Sequence, residues 1–171
     1  MKTESGIGLG SNLGDRLANL REALRRLEAL PGVRLLGKSS VYETEPVGVP
    51  KAYASLDFLN AVAVFEVALG RDEWSDAVHG IEDAMLRRRT GVRNAPRIID
   101  LDLLYFGDTV ANQPHLHLPH PQCSSRRFVC APLAELRPAL VLPGEVRTIA
   151  EILAALPQEP KVTLLAQPAA W

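Results

Sequence analysis

The sequence predicts an α+β protein, because strand-like and helix-like segments alternate as β-α-β-β-α-β over residues 1–106. Three observations carry this. A strand-like stretch at 4–10 leads into a leucine stripe of helical spacing, Leu13, Leu17, Leu20, Leu24, Leu27 and Leu30. Two strand-like segments follow, 33–42 and one opening with "FLNAVAVFEVAL". A second helical stripe, Trp74, Val78, Ile81 and Met85, then precedes the apolar run "PRIIDLDLLYFG" at 96–107. This is the ferredoxin-like βαββαβ order: a mostly antiparallel sheet with helices packed on one face, followed here by C-terminal helical additions.

The elements take their limits from local chemistry. Asn12 is placed to cap the first helix, with Asp15 three residues on, and Pro31 and Gly32 stop it. The segment 43–56, "ETEPVGVPKAYASL", fits neither period and reads as a long functional loop. Asp72 is placed to cap the second helix. "SSRRFVCAPLAELRP" reads as two short helical pieces broken at Pro132. In "TIAEILAAL", Thr148 and Glu151 stand at capping-box spacing.

A chain of 171 residues, 47% hydrophobic and 23% charged, predicts one soluble domain over 1–171. No apolar stretch has the length of a membrane span and no signal peptide opens the chain, so the expectation is a cytoplasmic protein with Cys123 and Cys130 reduced. The net charge of −1 conceals a cluster, Arg87, Arg88, Arg89, Arg93 and Arg97. A near-neutral chain with one dense arginine segment argues for a local anion site, phosphate above all, and against nucleic acid. Aromatic content of 5% likewise argues against an RNA-binding sheet.

The glycines of "GLGSNLG" do not make a dinucleotide fingerprint, since Leu13 stands where the third glycine belongs, and no lysine completes a P-loop. They read as a tight strand-to-helix turn. His115 and His117 would share a strand face, but nothing nearby completes a zinc set, so they read as surface or substrate-contact residues. His120, rigid within "PHP", is the histidine best placed for contact.

Asp100 and Asp102 carry the strongest signal. At i and i+2 of a strand they point to one face, where like charges repel and burial adds cost. They could pair with the preceding arginines and pin the loop to the sheet, although buried ion pairs stabilise poorly. Alternatively, Mg²⁺ with a bound nucleotide relieves the repulsion, because that cation takes one or two carboxylates together with phosphate oxygens. The second reading predicts ATP-dependent transfer, which works by positioning and charge stabilisation.

Taken in order and spacing, "GLGSNLGDR" (8–16), "YETEPVG" (42–48), "FLNAV" (58–62), "RNAPRIIDLDLLYFG" (93–107) and "LPHPQCSSRRFVCAPLAEL" (118–136) resemble the 6-hydroxymethyl-7,8-dihydropterin pyrophosphokinase family over nearly the whole chain. The resemblance implies an ATP- and Mg²⁺-dependent diphosphotransferase of folate biosynthesis. It would move the pyrophosphoryl group of ATP to the pterin's hydroxymethyl oxygen and release AMP. It implies two Mg²⁺ ions on Asp100 and Asp102, and catalytic parts for Arg87, Arg93, Arg97 and His120. Glu82, Arg89, Arg97, His120 and Arg126 match positions on the ATP side. Thr44, Val47, Gly48, Phe58, Asn60 and Phe128 match the pterin side, with Phe58 where some members have tyrosine. A monomer acting on small molecules is implied, with neither nucleic acid nor membrane as partner. The chain departs from the family at Asn94, where some members have a lid tryptophan, and at Ala95, Ile98 and Pro121. The sequence singles out no general base.

Overall fold

A computed structural model describes residues 2–46, 55–85 and 96–171. The chain runs β1 (Thr3–Ser11), α1 (Arg16–Glu28), β2 (Val33–Lys38), β3 (Val41–Thr44), β4 (Phe58–Val67), α2 (Arg71–Ala84) and β5 (Asp100–Phe106). A small hairpin of β6 (Ala111–Gln113) and β7 (Leu116–Leu118) follows, then α3 (Arg127–Leu136), α4 (Ile149–Ala155) and β8 (Val162–Ala166). The main sheet has the order β5-β1-β4-β3-β8, with β2 also on β4, and its pairings are antiparallel. Around β1 and β4 this is the ferredoxin-like arrangement that the sequence predicts.

The helices, however, occupy both faces. Residues 7, 9, 59, 61, 63, 65, 101 and 103 point towards α1 and α2, forming a core with Leu20, Leu24, Leu27, Trp74 and Val78. Trp74 is fully buried, its ring edge against Phe65, and its indole N–H donates to Ser5 Oγ at 2.9 Å. The opposite face is apolar too, over half its length. Val62, Val64, Leu104 and Tyr105 meet α3 and α4 through Val129, Leu133, Ile149 and Ile152. A β-bulge puts both Leu104 and Tyr105 there: β1 pairs Ile7 with Leu103 and Gly6 with Tyr105, skipping one residue of β5. A strand that is hydrophobic on both sides must be covered on both sides.

Several local expectations need correction. The predicted strand 33–42 is two strands, separated at Ser39, whose Oγ accepts from Val62 N and whose N–H donates to Val62 O, both at 2.9 Å. Asp15, not Asn12, caps α1, accepting from Ala18 N at 3.0 Å. Gly14 before it has φ +70°, and this turn leaves Leu13 exposed rather than in the helical stripe. Gly70, not Asp72, starts α2, because the Glu73 carboxylate turns back to its N–H while Asp72 pairs with Arg71. Helix α3 is continuous through Pro132, which forfeits a single backbone hydrogen bond but is buried against the sheet. His115 sits in the β6–β7 turn, so it does not share a strand face with His117. Strand β8 and the buried Trp171 behind it were not predicted at all.

Candidate active site

The α3-facing side of the sheet is covered at one end only. At the other end the β1 register places Gly10 between Asn60 of β4 and Asp100 of β5, and Gly8 between Val62 and Asp102. A side chain on Gly10 would meet Asn60 Oδ1 at 3.4 Å, Asp100 Cβ at 3.7 Å and Phe58 at 3.9 Å. The two glycines therefore keep a flat floor between an amide on one side and two carboxylates on the other. Those walls stand two strand spacings apart, roughly 10 Å. The cavity above holds about 410 Å³, with Thr44, Phe58, Asn60, Arg97, Asp100, Asp102, His120, Arg126 and Phe128 in its lining.

Among the described residues the two carboxylates of the acidic wall differ in their partners. Arg97 Nη1 lies 2.8 Å from Asp100 Oδ2. Among the described residues Asp102 has no cation that close: His120 Nε2 stands 3.9 Å from its Oδ1, and both side chains line the cavity. Burial pushes the Asp102 carboxyl up to about 7, helped by the charges of Asp100 and Glu82, while Arg126 and Arg97 pull the other way. His120 Nδ1 accepts from Gln122 N–H at 3.2 Å, and burial, followed by Arg126, lowers its pKa. A neutral imidazole held this way carries its proton on Nε2, directed at the acidic wall. Two carboxylates sharing a face and backed by further negative charge fit a hard divalent cation that completes its shell with water and phosphate. Among the described residues no cluster of three or more His, Cys, Asp or Glu side chains could hold a metal by itself.

On the opposite wall, Asn60 Nδ2 donates to Thr44 Oγ1 at 2.7 Å. That bond fixes the amide so that its oxygen faces the glycine floor. Phe58 and Phe128 line the same cavity, and the Arg126 guanidinium lies over the Phe128 ring at 5.4 Å. Arg126 thus reaches the acidic wall electrostatically while resting on the aromatic one.

Glu82 stands apart from this lining. It is fully buried on α2 and accepts from Leu101 N at 2.7 Å, holding the start of β5 from the other side of the sheet. Val47, Gly48, Arg87, Arg89 and Arg93, with Asn94 and Ala95, lie outside the described residues. Sequence reading missed Leu156, Pro157 and Pro160, which also line the cavity. Prolines beyond a short helix are a turn signal and gave no hint of a binding role.

Comparison with known proteins adds to this geometry. Residues 6–138 match the family described as 7,8-dihydro-6-hydroxymethylpterin-pyrophosphokinase. The 2-amino-4-hydroxy-6-hydroxymethyldihydropteridine pyrophosphokinase of Pseudomonas aeruginosa is 38% identical over 153 residues, covering 90% of this chain and 91% of that protein. The enzyme of that name from Methylorubrum extorquens is 38% identical over 154 residues, 90% of this chain and 94% of that protein. A crystal structure of Plasmodium falciparum HPPK-DHPS with pteroate matches with TM-score 0.70 over 90% of this chain and 42% of that one, a likeness of fold at 14% identity. Sheet, glycine floor and paired aspartates thus sit within a match that spans most of the chain, which belongs to the 7,8-dihydro-6-hydroxymethylpterin pyrophosphokinase family.

Proposed function

We propose that this chain transfers the pyrophosphoryl group of ATP to the hydroxymethyl oxygen of 6-hydroxymethyl-7,8-dihydropterin, forming the pterin diphosphate and AMP for folate synthesis. The observation that carries the reading is the glycine floor, with an oriented amide on one side and paired carboxylates on the other. A flat heterocycle fits over Gly8 and Gly10 between Phe58 and Phe128. Asn60 Oδ1, its orientation set by Thr44, accepts from the ring's N–H groups. The hydroxymethyl arm then extends across β1 towards Asp100 and Asp102.

Asp100 and Asp102 would hold Mg²⁺, two ions in our reading, and the cation supplies positive charge to the triphosphate oxygens. Arg97, paired with Asp100, sits where a guanidinium can exchange part of that contact for phosphate. His120 offers its Nε2–H, and Arg126 leaves its aromatic support to meet the nucleotide. Glu82 serves the nucleotide side indirectly, by fixing the first residues of β5. Arg87, Arg89 and Arg93 belong with the phosphates, and Val47 and Gly48 with the pterin. Attack occurs on the β-phosphorus, so alignment of the acceptor with that atom is the main catalytic demand.

We read the chain as a monomeric, cytoplasmic, single-domain enzyme of small molecules. No helix among the described residues is long and apolar enough to cross a membrane. Mass spectrometry of a reaction with ATP, Mg²⁺ and the hydroxymethyl dihydropterin tests the proposal. Pterin diphosphate and AMP in equal amounts are expected; ADP, or no pterin product, would overturn it.

A further inference from the structure

The turn after β1 and the first residue of α1 carry two polar side chains that helix capping does not explain. Asn12 is only 3% exposed. A buried amide is costly unless its hydrogen bonds are made. Asn12 makes them to two segments far away in sequence. Its Oδ1 accepts from Arg97 N–H at 2.8 Å, its own N–H donates to Arg97 O at 3.2 Å, and its Nδ2 donates to Leu56 O at 3.4 Å. Asp15 has already capped the helix, so Asn12 is released from that duty. Four residues on, Arg16 Nη1 reaches Asp57 O and Glu43 Oε1, each at 2.9 Å.

Each grip lands on, or within two residues of, a cavity-lining side chain. Arg97 is itself in the wall and paired with Asp100. Asp57 precedes Phe58, and Glu43 precedes Thr44, the partner of Asn60. Neither Asn12 nor Arg16 lines the cavity. The Arg16–Glu43 pair is about one-third exposed on both sides and adds little stability by itself. What the pair of residues provides is a fixed relation between two walls that β1 separates.

We propose that the Ser11–Arg16 turn is a bracket, in which Asn12 and Arg16 are positioning residues that hold the acidic wall and the pterin wall at the separation in-line transfer needs. This deepens the pyrophosphoryl-transfer reading and rests on it. Misplacement of reacting groups by about 1 Å can cost on the order of 10²-fold in rate, whereas each substrate still meets its own wall. Loss of the bracket therefore falls on the chemical step.

The test compares the parent with Asn12→Ala, Arg16→Met and the double variant. Single-turnover rate is measured with ATP and pterin, and affinity for the pterin and for a non-hydrolysable ATP analogue is measured separately by calorimetry. Asn12→Ala is expected to slow the single-turnover step about tenfold or more, with each affinity within about threefold of the parent. Arg16→Met, at a site about one-third exposed, is expected to keep the fold and show the same split more weakly. The double variant should lose less than the product of the single losses, since both act on one bracket. Thermal unfolding of the same samples ties the rates to folded protein. Unchanged rates in folded variants, losses confined to one substrate's affinity, or multiplicative losses would each overturn the bracket. A parent that makes no pterin diphosphate would instead overturn the reading beneath it.

Discussion

Along one face of one sheet, Val62, Val64, Leu104 and Tyr105 lie beneath α3 and α4, while Asn60, Asp100 and Asp102, on the same strands, line an open cavity. At the covered end, charge is matched. Glu4 takes Arg137 through both carboxylate oxygens and accepts from Tyr105 OH at 2.8 Å. At the open end, among the described residues, Asp102 faces the charges of Asp100 and Glu82, and Arg126 and Arg97 pull the other way. The same strands thus build a covered half and an open half, and the open half is where our proposal puts the substrate's charge. Strand β1 repeats the contrast in glycine. A side chain on Gly6 would strike the Tyr105 ring at 2.3 Å, whereas one on Gly8 would meet nothing closer than 3.4 Å.

The sharpest way to break this comparison is Asp102→Asn. Turnover should fall roughly 10³-fold or more, as removal of a principal charge-stabilising group does. Stability should move the other way. With its carboxyl held up at about 7, Asp102 keeps a proton in the folded state that the unfolded chain has already lost, so its ionisation costs stability increasingly from the ordinary carboxylate range up through pH 7. The variant should therefore gain in Tm over the parent between about pH 5 and pH 8. An active variant, or one less stable at pH 8, breaks the contrast.

Leu133→Ala probes the covered end. Leu133 is fully buried on α3, and its truncation should cost about 2–5 kcal/mol in urea unfolding, with kcat of the folded fraction nearly unchanged. Gly6→Ala and Gly8→Ala form a matched pair within one strand. The first should cost about 1–3 kcal/mol because Tyr105 must move. The second should fold normally but raise the pterin KM by filling the floor. Equal stability of the two would remove the distinction between the ends.

The smallest effect is predicted for Arg137→Met, about 1 kcal/mol at pH 7, given that both partners are about one-third exposed. The hydrogen bond from Arg137 holds the Glu4 carboxyl below its ordinary value. The contribution is thus present above that value and vanishes as pH falls through the depressed one. Parent and variant should converge in stability once pH falls below the depressed Glu4 value, and a gap that persists in acid would assign Arg137 a packing role instead.

Much of the fold was legible because its evidence is periodic. The two-residue spacing in β5 put Asp100 and Asp102 on one face before any coordinates. Capping was less legible: Asn12 and Asp15 are both good N-caps, and only the positive φ at Gly14 decides for Asp15. Strand β8 was missed because "KVTLLA" is short and follows a proline-containing turn, and its identity depends on pairing with β3, a partner 118 or more positions away.

The sequence by itself determined the element order, the apolar stripes and the side-by-side carboxylates, because these follow from periods of 3.6 and 2 in the local chain. Only the tertiary structure decided that Gly8 and Gly10 form a floor, that α3 and α4 cover just half of a face, and that Asn12 ties Leu56 to Arg97. Those facts depend on strand register and long-range hydrogen bonds. Their partners are chosen by the packed whole, and no local pattern records them.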